Sequence, residues 1–287
     1  MSHLLKSRSR NSAFTLVELM IVIAIIGILA SLATVGVMKS LEKGKMVAAR
    51  TEISQLEAAI AAAKQNFGGV DYLPSAIILY NTTAGFNTNA SSVSTANFLT
   101  KAFGKAWQSN PSCPWMGPSY TGSYPVILTG MEALVYWLGG VRDGSGTFQG
   151  FSSNPAAPWD TTNARYKLKG PFYDFDAVRV LNNTSTTVPT FVNSWNGSYA
   201  YFSSSDYATF VTTPYSPRNG GGLISPLLRT NTTFYNPKTF QIISSGPDQA
   251  FGSGGVHTPG VGNYALSASG YDDLANFSST QLGKKDE

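Results

Sequence analysis

An apolar run from Leu19 to Met38, broken only by Ser31 and Thr34, constrains this 287-residue chain more than any other feature. A helix rises about 1.5 Å per residue, so the run covers about 30 Å, the thickness of a bilayer's hydrocarbon core. Ahead of it, MSHLLKSRSRNSA carries Lys6, Arg8 and Arg10 and no acid; behind it come Lys39, Lys43 and Lys45 against Glu42. That distribution gives a weak preference for a cytoplasmic N-terminus. A secretory signal has a shorter apolar core followed by a small-residue cleavage site, whereas here the candidate processing site precedes the core.

Beyond the run, Met46, Ala49, Ile53, Leu56, Ile60, Ala63 and Phe67 recur at alternating steps of three and four, which makes one apolar helical stripe. Arg50, Glu52, Glu57 and Lys64 are expected on the other faces, and Gly68-Gly69 is the stop signal. One helix of about 80 Å is predicted from Phe14 to Phe67. Its upper half is expected to pack on the chain's own globular domain; the heptad run is too short and Ala-rich to favour a coiled coil. Gly27 and Gly36 lower helix propensity in the apolar half and permit close helix approach.

The hexapeptide Phe14-Thr15-Leu16-Val17-Glu18-Leu19 resembles the start of a type IV prepilin or pseudopilin. The resemblance implies that a membrane prepilin peptidase cuts between Ala13 and Phe14, methylates the new Phe14 amine and leaves the helix on the mature protein. Ala13 stands where the family usually has Gly. A lone carboxylate against hydrocarbon costs several kcal/mol unless it is protonated or paired, so Glu18 needs a reason to be there. One reading is electrostatic, because the helix macrodipole favours an acid in the first turn. The other comes from the resemblance: Glu18 pairs with the Phe14 amine of a neighbouring subunit and sets its axial register in a helical filament. An inner-membrane assembly platform and minor pseudopilins are the further partners implied.

The formal charge of +4 and pI near 9.0 would suggest nucleic acid or anionic lipid. Removing residues 1–13 leaves seventeen basic against sixteen acidic residues, a net of +1, so no nucleic-acid partner is expected. The single cysteine, Cys113, excludes an intramolecular disulfide. Only His3 and His257 are present, and no Walker A, GxSxG or HExxH sequence occurs, so no enzyme is expected.

Residues 68–287 change to Gly, Ser, Thr, Asn and aromatics, and 16 Phe, 14 Tyr and 5 Trp are ample for one core. Short helices are predicted at Thr95 to Trp107 and after the capping-box sequence Thr129-Gly130-Met131-Glu132, with a loop at Asn110 to Tyr124 between them. Strands are predicted at Ala177 to Leu181, Ser198 to Phe202 and Thr239 to Ser244. The expected class is α+β and pilin-like: a long N-terminal helix packed on a small antiparallel sheet with long loops. Its divisions are a leader (1–13), a membrane and assembly helix (14–38), an amphipathic half (39–67) and an extracytoplasmic domain (68–287).

A narrower resemblance points to the major pseudopilin of type II secretion systems. Ser194-Trp195-Asn196-Gly197-Ser198-Tyr199-Ala200-Tyr201 is similar to its Trp-Gly-x-Pro-Tyr-x-Tyr segment, with Asn196 inserted and Ser198 in place of proline. Phe240 to Asp248 resembles its last strand and the opening of its calcium loop, and Asp272-Asp273-Leu274-Ala275-Asn276-Phe277 the closing of that loop. This implies calcium held by Asp248 and Asp272 or Asp273, across an interval, Gln249 to Tyr271, that is longer than the family's. The implied role is a secretion pseudopilus subunit in the bacterial inner membrane, with a cytoplasmic N-terminus and a periplasmic domain. A surface type IV pilus subunit is the alternative, and an anchored carbohydrate-binding module, prompted by Trp107, Trp115, Trp137, Trp159 and Trp195, comes third.

Overall fold

The computed structural model describes residues 15–111, 123–181 and 188–285; Ala13, Phe14, Cys113 and Trp115 lie outside them. Helix α1 (Leu16–Asn66) ends where expected, at Gly68 and Gly69, both with positive φ (80° and 74°). There the Gly69 and Val70 N–H groups fold back onto the Lys64 carbonyl at 3.0 and 3.2 Å. The chain divides into two compact units, residues 1–46 and 47–287.

In the first unit the helix is apolar on all sides from Leu19 to Met38. Leu19, Ile21, Ile25, Ile28, Leu29, Leu32 and Val37 are all more than half exposed. Its most apolar window has a mean hydropathy of 2.7 with nothing buried, and it is the one candidate membrane span among the described residues.

In the second unit the predicted stripe is the buried one: Ala49, Ile53, Leu56, Ile60, Ala63 and Phe67 are all under 5% exposed. Phe67 anchors it, with edge-on ring contacts to Phe103, Trp137, Phe151 and Phe172 at centroid distances of 5.4 to 6.0 Å. Glu52 departs from the expected pattern. It faces the domain, where its carboxylate is ion-paired with Arg179 and accepts hydrogen bonds from the Tyr199 hydroxyl and, at 3.3 Å, the Tyr173 hydroxyl. Burial, then the Glu52 charge, push the Tyr199 hydroxyl well above its usual range, so it stays protonated and donates. Glu57 accepts from the Asn276 amide at 2.9 Å, a second polar tie from the same helix.

The described strands are β1 (Ala76–Leu79), β2 (Val126–Thr129), β3 (Val141–Arg142), β4 (Phe148–Ser152), β5 (Leu168–Lys169), β6 (Val180–Leu181), β7 (Thr190–Phe191), β8 (Tyr199–Ser203), β9 (Leu227–Thr230), β10 (Thr233–Phe234), β11 (Phe240–Ser244), β12 (Gly255–Val256) and β13 (Leu274–Ala275). They make small sheets rather than one: β1-β2, β3-β4-β5, β6-β7, β10-β9-β12 and β13-β11-β8. All pairings are antiparallel except β12 with β9. The architecture is the α+β, pilin-like arrangement read from the sequence.

Boundaries moved for local reasons. Helix α2 (Ala90–Phe103) begins five residues before the predicted Thr95, because Asn89 and Ser92 close a capping box. It ends at Gly104, with φ 83°, so the rest of the predicted helix becomes a 3₁₀ turn (Lys105–Ser109) on which Ala106 is exposed and Trp107 buried. Helix α3 (Met131–Gly139) forms as expected and is wholly buried. Gly130 takes its N-cap, so only one half of the box closes: Glu132 accepts from the Thr129 N–H and hydroxyl at 3.3 and 3.2 Å. Strand β6 keeps only the end of the predicted Ala177 to Leu181, since Asp176 caps a 3₁₀ turn over Ala177–Arg179.

Two substitutions test this frame by denaturation of the full chain in detergent. Phe67→Ala is expected to cost about 4 kcal/mol, as for a large core aromatic. Glu52→Ala, which leaves the half-buried Arg179 without its carboxylate and the buried Tyr199 hydroxyl without its acceptor, is expected to cost about 2 kcal/mol. Costs below about 1 kcal/mol for both would mean that the stripe does not hold the unit together.

Candidate functional site

Three acids singled out from the sequence meet at one junction. Strands β8, β11 and β13 lie side by side, with Ile243 opposite Ala275 and Ser244 opposite Leu274. The chain leaving β11 turns at Gly246, with φ 60°, where any Cβ would lie 2.5 Å from the Asp272 carbonyl oxygen. Asp272 Oδ2 then accepts from the Asp248 N–H at 3.1 Å, and Asp273 Oδ2 from the Gly252 N–H at 2.9 Å. Each carboxylate keeps one buried oxygen, Oδ1, with no hydrogen-bond partner. Desolvation, then the Asp248 charge, push Asp272 up to about 6. Asp273, fully buried, is raised well above the usual carboxylate range, mainly by desolvation. Among the described residues no three His, Cys, Asp or Glu side chains group as metal ligands, so a cation here would depend on backbone carbonyls for most of its shell.

The Trp195 segment is held at the same sheet. Asn193, fully buried, accepts from the Trp195 and Gly197 N–H groups at 2.9 and 2.8 Å and donates to the Ser244 hydroxyl on β11 at 2.9 Å. Asn196 takes a positive φ of 63° at the tip of this turn, the position at which the family segment has no residue. Asn193 was not singled out from sequence; an Asn four residues before a Gly is too common a pattern to find it.

At the other end of the chain, Thr15 and Glu18 close a capping box on α1. Glu18 Oε2 accepts from the Thr15 N–H at 2.9 Å and from its hydroxyl at 2.8 Å, and the Glu18 N–H donates to Thr15 Oγ1 at 3.2 Å. Thr15-Leu16-Val17-Glu18 ahead of an apolar run is the sequence signature of this cap, which adds hydrogen bonds to the macrodipole effect. Glu18 Oε1 accepts nothing from the described residues. Ala13 and Phe14 lie outside them, so the cleavage site has no geometry to set beside the acid.

A family profile described as the prokaryotic N-terminal methylation motif matches residues 8–34. Over these residues the N-terminus is similar to that of type IV pilin-like prepilins. The matched stretch contains Ala13, Phe14 and Glu18 and most of the apolar run, which fits a membrane-anchored substrate of prepilin peptidase. No curated protein and no solved structure matches the chain.

In the second unit the described tryptophans are core. Trp107, Trp137, Trp159 and Trp195 are buried, and both ring nitrogens of His257 are engaged, Nδ1 with the Tyr235 hydroxyl at 3.2 Å and Nε2 with the Leu282 carbonyl at 2.8 Å.

The junction predicts a pH dependence. A carboxyl whose folded pKa is raised contributes its stability below the unfolded value, near 3.9, and loses it as pH rises through the folded value. For Asp272 that window closes at about 6. Asp272→Asn should therefore stabilise the protein at pH 7 in chelator by about 1 kcal/mol, a figure discounted for its partial exposure. It should have no effect near pH 3. An equal effect at both pH values would show that the Asp272 charge is not the cause.

Proposed function

We propose that the chain is a non-enzymatic structural subunit of a type II secretion pseudopilus. Processed at Ala13–Phe14 and stored in the bacterial inner membrane with its domain in the periplasm, it is polymerised through α1 into a helical fibre that supports export. The observation that carries this reading over a surface pilus is the sheet β8-β11-β13. The three segments that resemble the major pseudopilin, far apart in sequence, supply its adjacent strands and the turns that flank them.

Assembly exchanges lipid for neighbouring apolar helices, so the hydrophobic term alone specifies little. A polar contact must set the register. Glu18 serves, because the cap uses Oε2 and leaves Oε1 for the methylated Phe14 amine of the next subunit, a charge-assisted hydrogen bond in a medium of low dielectric.

The Asp248, Asp272 and Asp273 junction takes a calcium ion in this reading. Two buried oxygens without partners fit a cation that binds oxygen and competes with protons for the same atoms. Bound calcium would supply the positive charge that the two raised carboxyls lack, and would staple β11 to β13 where the chain has no disulfide.

Four measurements test the proposal. Mass spectrometry of membrane-extracted protein should give a mature terminus at methylated Phe14, whereas an intact leader would reduce α1 to a plain anchor. Glu18→Ala should leave the protein in the membrane and abolish fibres, and deletion of the chain should stop export while sparing surface pili; the reverse phenotype would favour the pilus reading. Calcium should raise the melting temperature relative to chelator and turn Asp272→Asn from stabilising to destabilising. Identical melting in the two conditions would remove the metal.

A further inference from the structure

The sheet β3-β4-β5 carries opposite charges at its two ends. At the Phe148 end, a groove of about 380 Å³ opens between the β3–β4 turn and the segment Pro171 to Ala177. Phe148, Tyr173 and Phe175 wall it, and the exposed Asp174 and Asp176 stand on its rim. Its turn-side lip is fixed, because Asp143 Oδ1 accepts from the Ser145 N–H and hydroxyl and the Thr147 N–H at 2.6 to 3.0 Å. The fully buried Arg142 already has its guanidinium carbon 5.8 Å from the Phe148 centroid, so Tyr173, Phe175 and the two carboxylates are what attract an incoming cation.

At the Ser152 end, β5 pairs Leu168 with Ser152, and Ser153 donates to the Lys167 carbonyl at 2.8 Å. The turn before it presents Arg165 and Lys167, both exposed, and is held by Asn163 accepting from the Arg165 N–H at 3.1 Å and Asp160 from the Thr162 N–H at 3.1 Å. At about 3.3 Å per strand residue, this basic arm is about 15 Å along β4 from the acidic groove. None of Arg165, Lys167, Asp174 and Asp176 takes part in an ion pair among the described residues.

We propose that the groove receives the Arg165–Lys167 arm of a second copy of this chain. Two different patches that fit each other make a heterologous contact, and repeated head to tail such a contact builds an open fibre instead of a closed dimer. Charge complementarity names the occupant: an aromatic-walled, acid-rimmed groove fits a guanidinium or ammonium side chain, and the same domain displays two at the other end of the same sheet. Opposed charges at this contact also make the fibre's growth dependent on ionic strength.

The inference rests on the fibre reading and is tested separately from it, by charge reversal in full-length protein with fibres counted by electron microscopy. Asp174→Lys with Asp176→Lys should abolish fibres, and so should Arg165→Asp with Lys167→Asp. All four changes together should restore them, and melting curves should show each variant folded. Fibres of normal abundance from either pair, or no recovery in the quadruple variant, would overturn the groove while leaving the wild-type fibres intact. Absence of wild-type fibres would instead overturn the fibre reading and this contact with it. As a direct readout, Ser145→Cys with Lys167→Cys in a Cys113→Ser background should give a ladder of oxidised multimers, and each single cysteine dimers at most.

Discussion

The apolar stripe of α1 from Ala49 to Phe67 is the surface on which the domain is built. Phe67 makes edge-on contacts with four aromatic rings contributed by α2, α3, β4 and the segment after β5, so one residue at the end of the helix gathers four elements that follow it in the chain. The small sheets share no long ladder, and strands of two to five residues would be marginal alone. Their stability comes from packing against α1 and against one another. The polar ties follow the same geometry: Glu52 and Glu57, five residues apart on α1, reach the strands Tyr199 to Ser203 and Leu274 to Ala275 or the residues beside them.

Buried acids in this protein fall into two kinds, and their environments explain the difference. Glu52 has a cation and two hydroxyls, so its charge is compensated where it lies. Asp272 and Asp273 have only backbone N–H donors and each other, and desolvation lifts both. Glu132, near the start of α3, lies between these cases. Burial pushes it up to about 7 even though Arg218 stands 3.8 Å away, because that cation is half exposed and screened by solvent. A compensated acid serves the fold; uncompensated acids at a strand junction are where a cation has most to contribute.

At the N-terminus the physical problem is reversed, since the helix exposes its apolar residues and places one acid among them. The Thr15–Glu18 box solves a local problem, the unsatisfied N–H groups of a helix start, with the side chain that the assembly reading also requires. One oxygen of Glu18 is used within the chain and the other is not. Capping and intersubunit pairing are therefore compatible uses of the same residue.

Sequence by itself determined the long helix, its apolar first half, its buried stripe, its stop at Gly68-Gly69 and the methylation motif. All of these depend on residues within a few turns of one another, so periodicity and local backbone chemistry suffice. It also placed α3 and strands β8 and β11 to within a residue or two. Only the tertiary structure decided that Glu52 points inward, because an Arg more than a hundred positions away completes its pair. The meeting of Asp248 with Asp272 and Asp273 was legible as a family pattern, but their desolvation was not: burial is set by what packs over a side chain. The same holds for the division of the described strands into five small sheets and for the charge separation along β3-β4-β5, which depend on pairings such as β8 with β11 and β4 with β5 that join residues far apart in the chain.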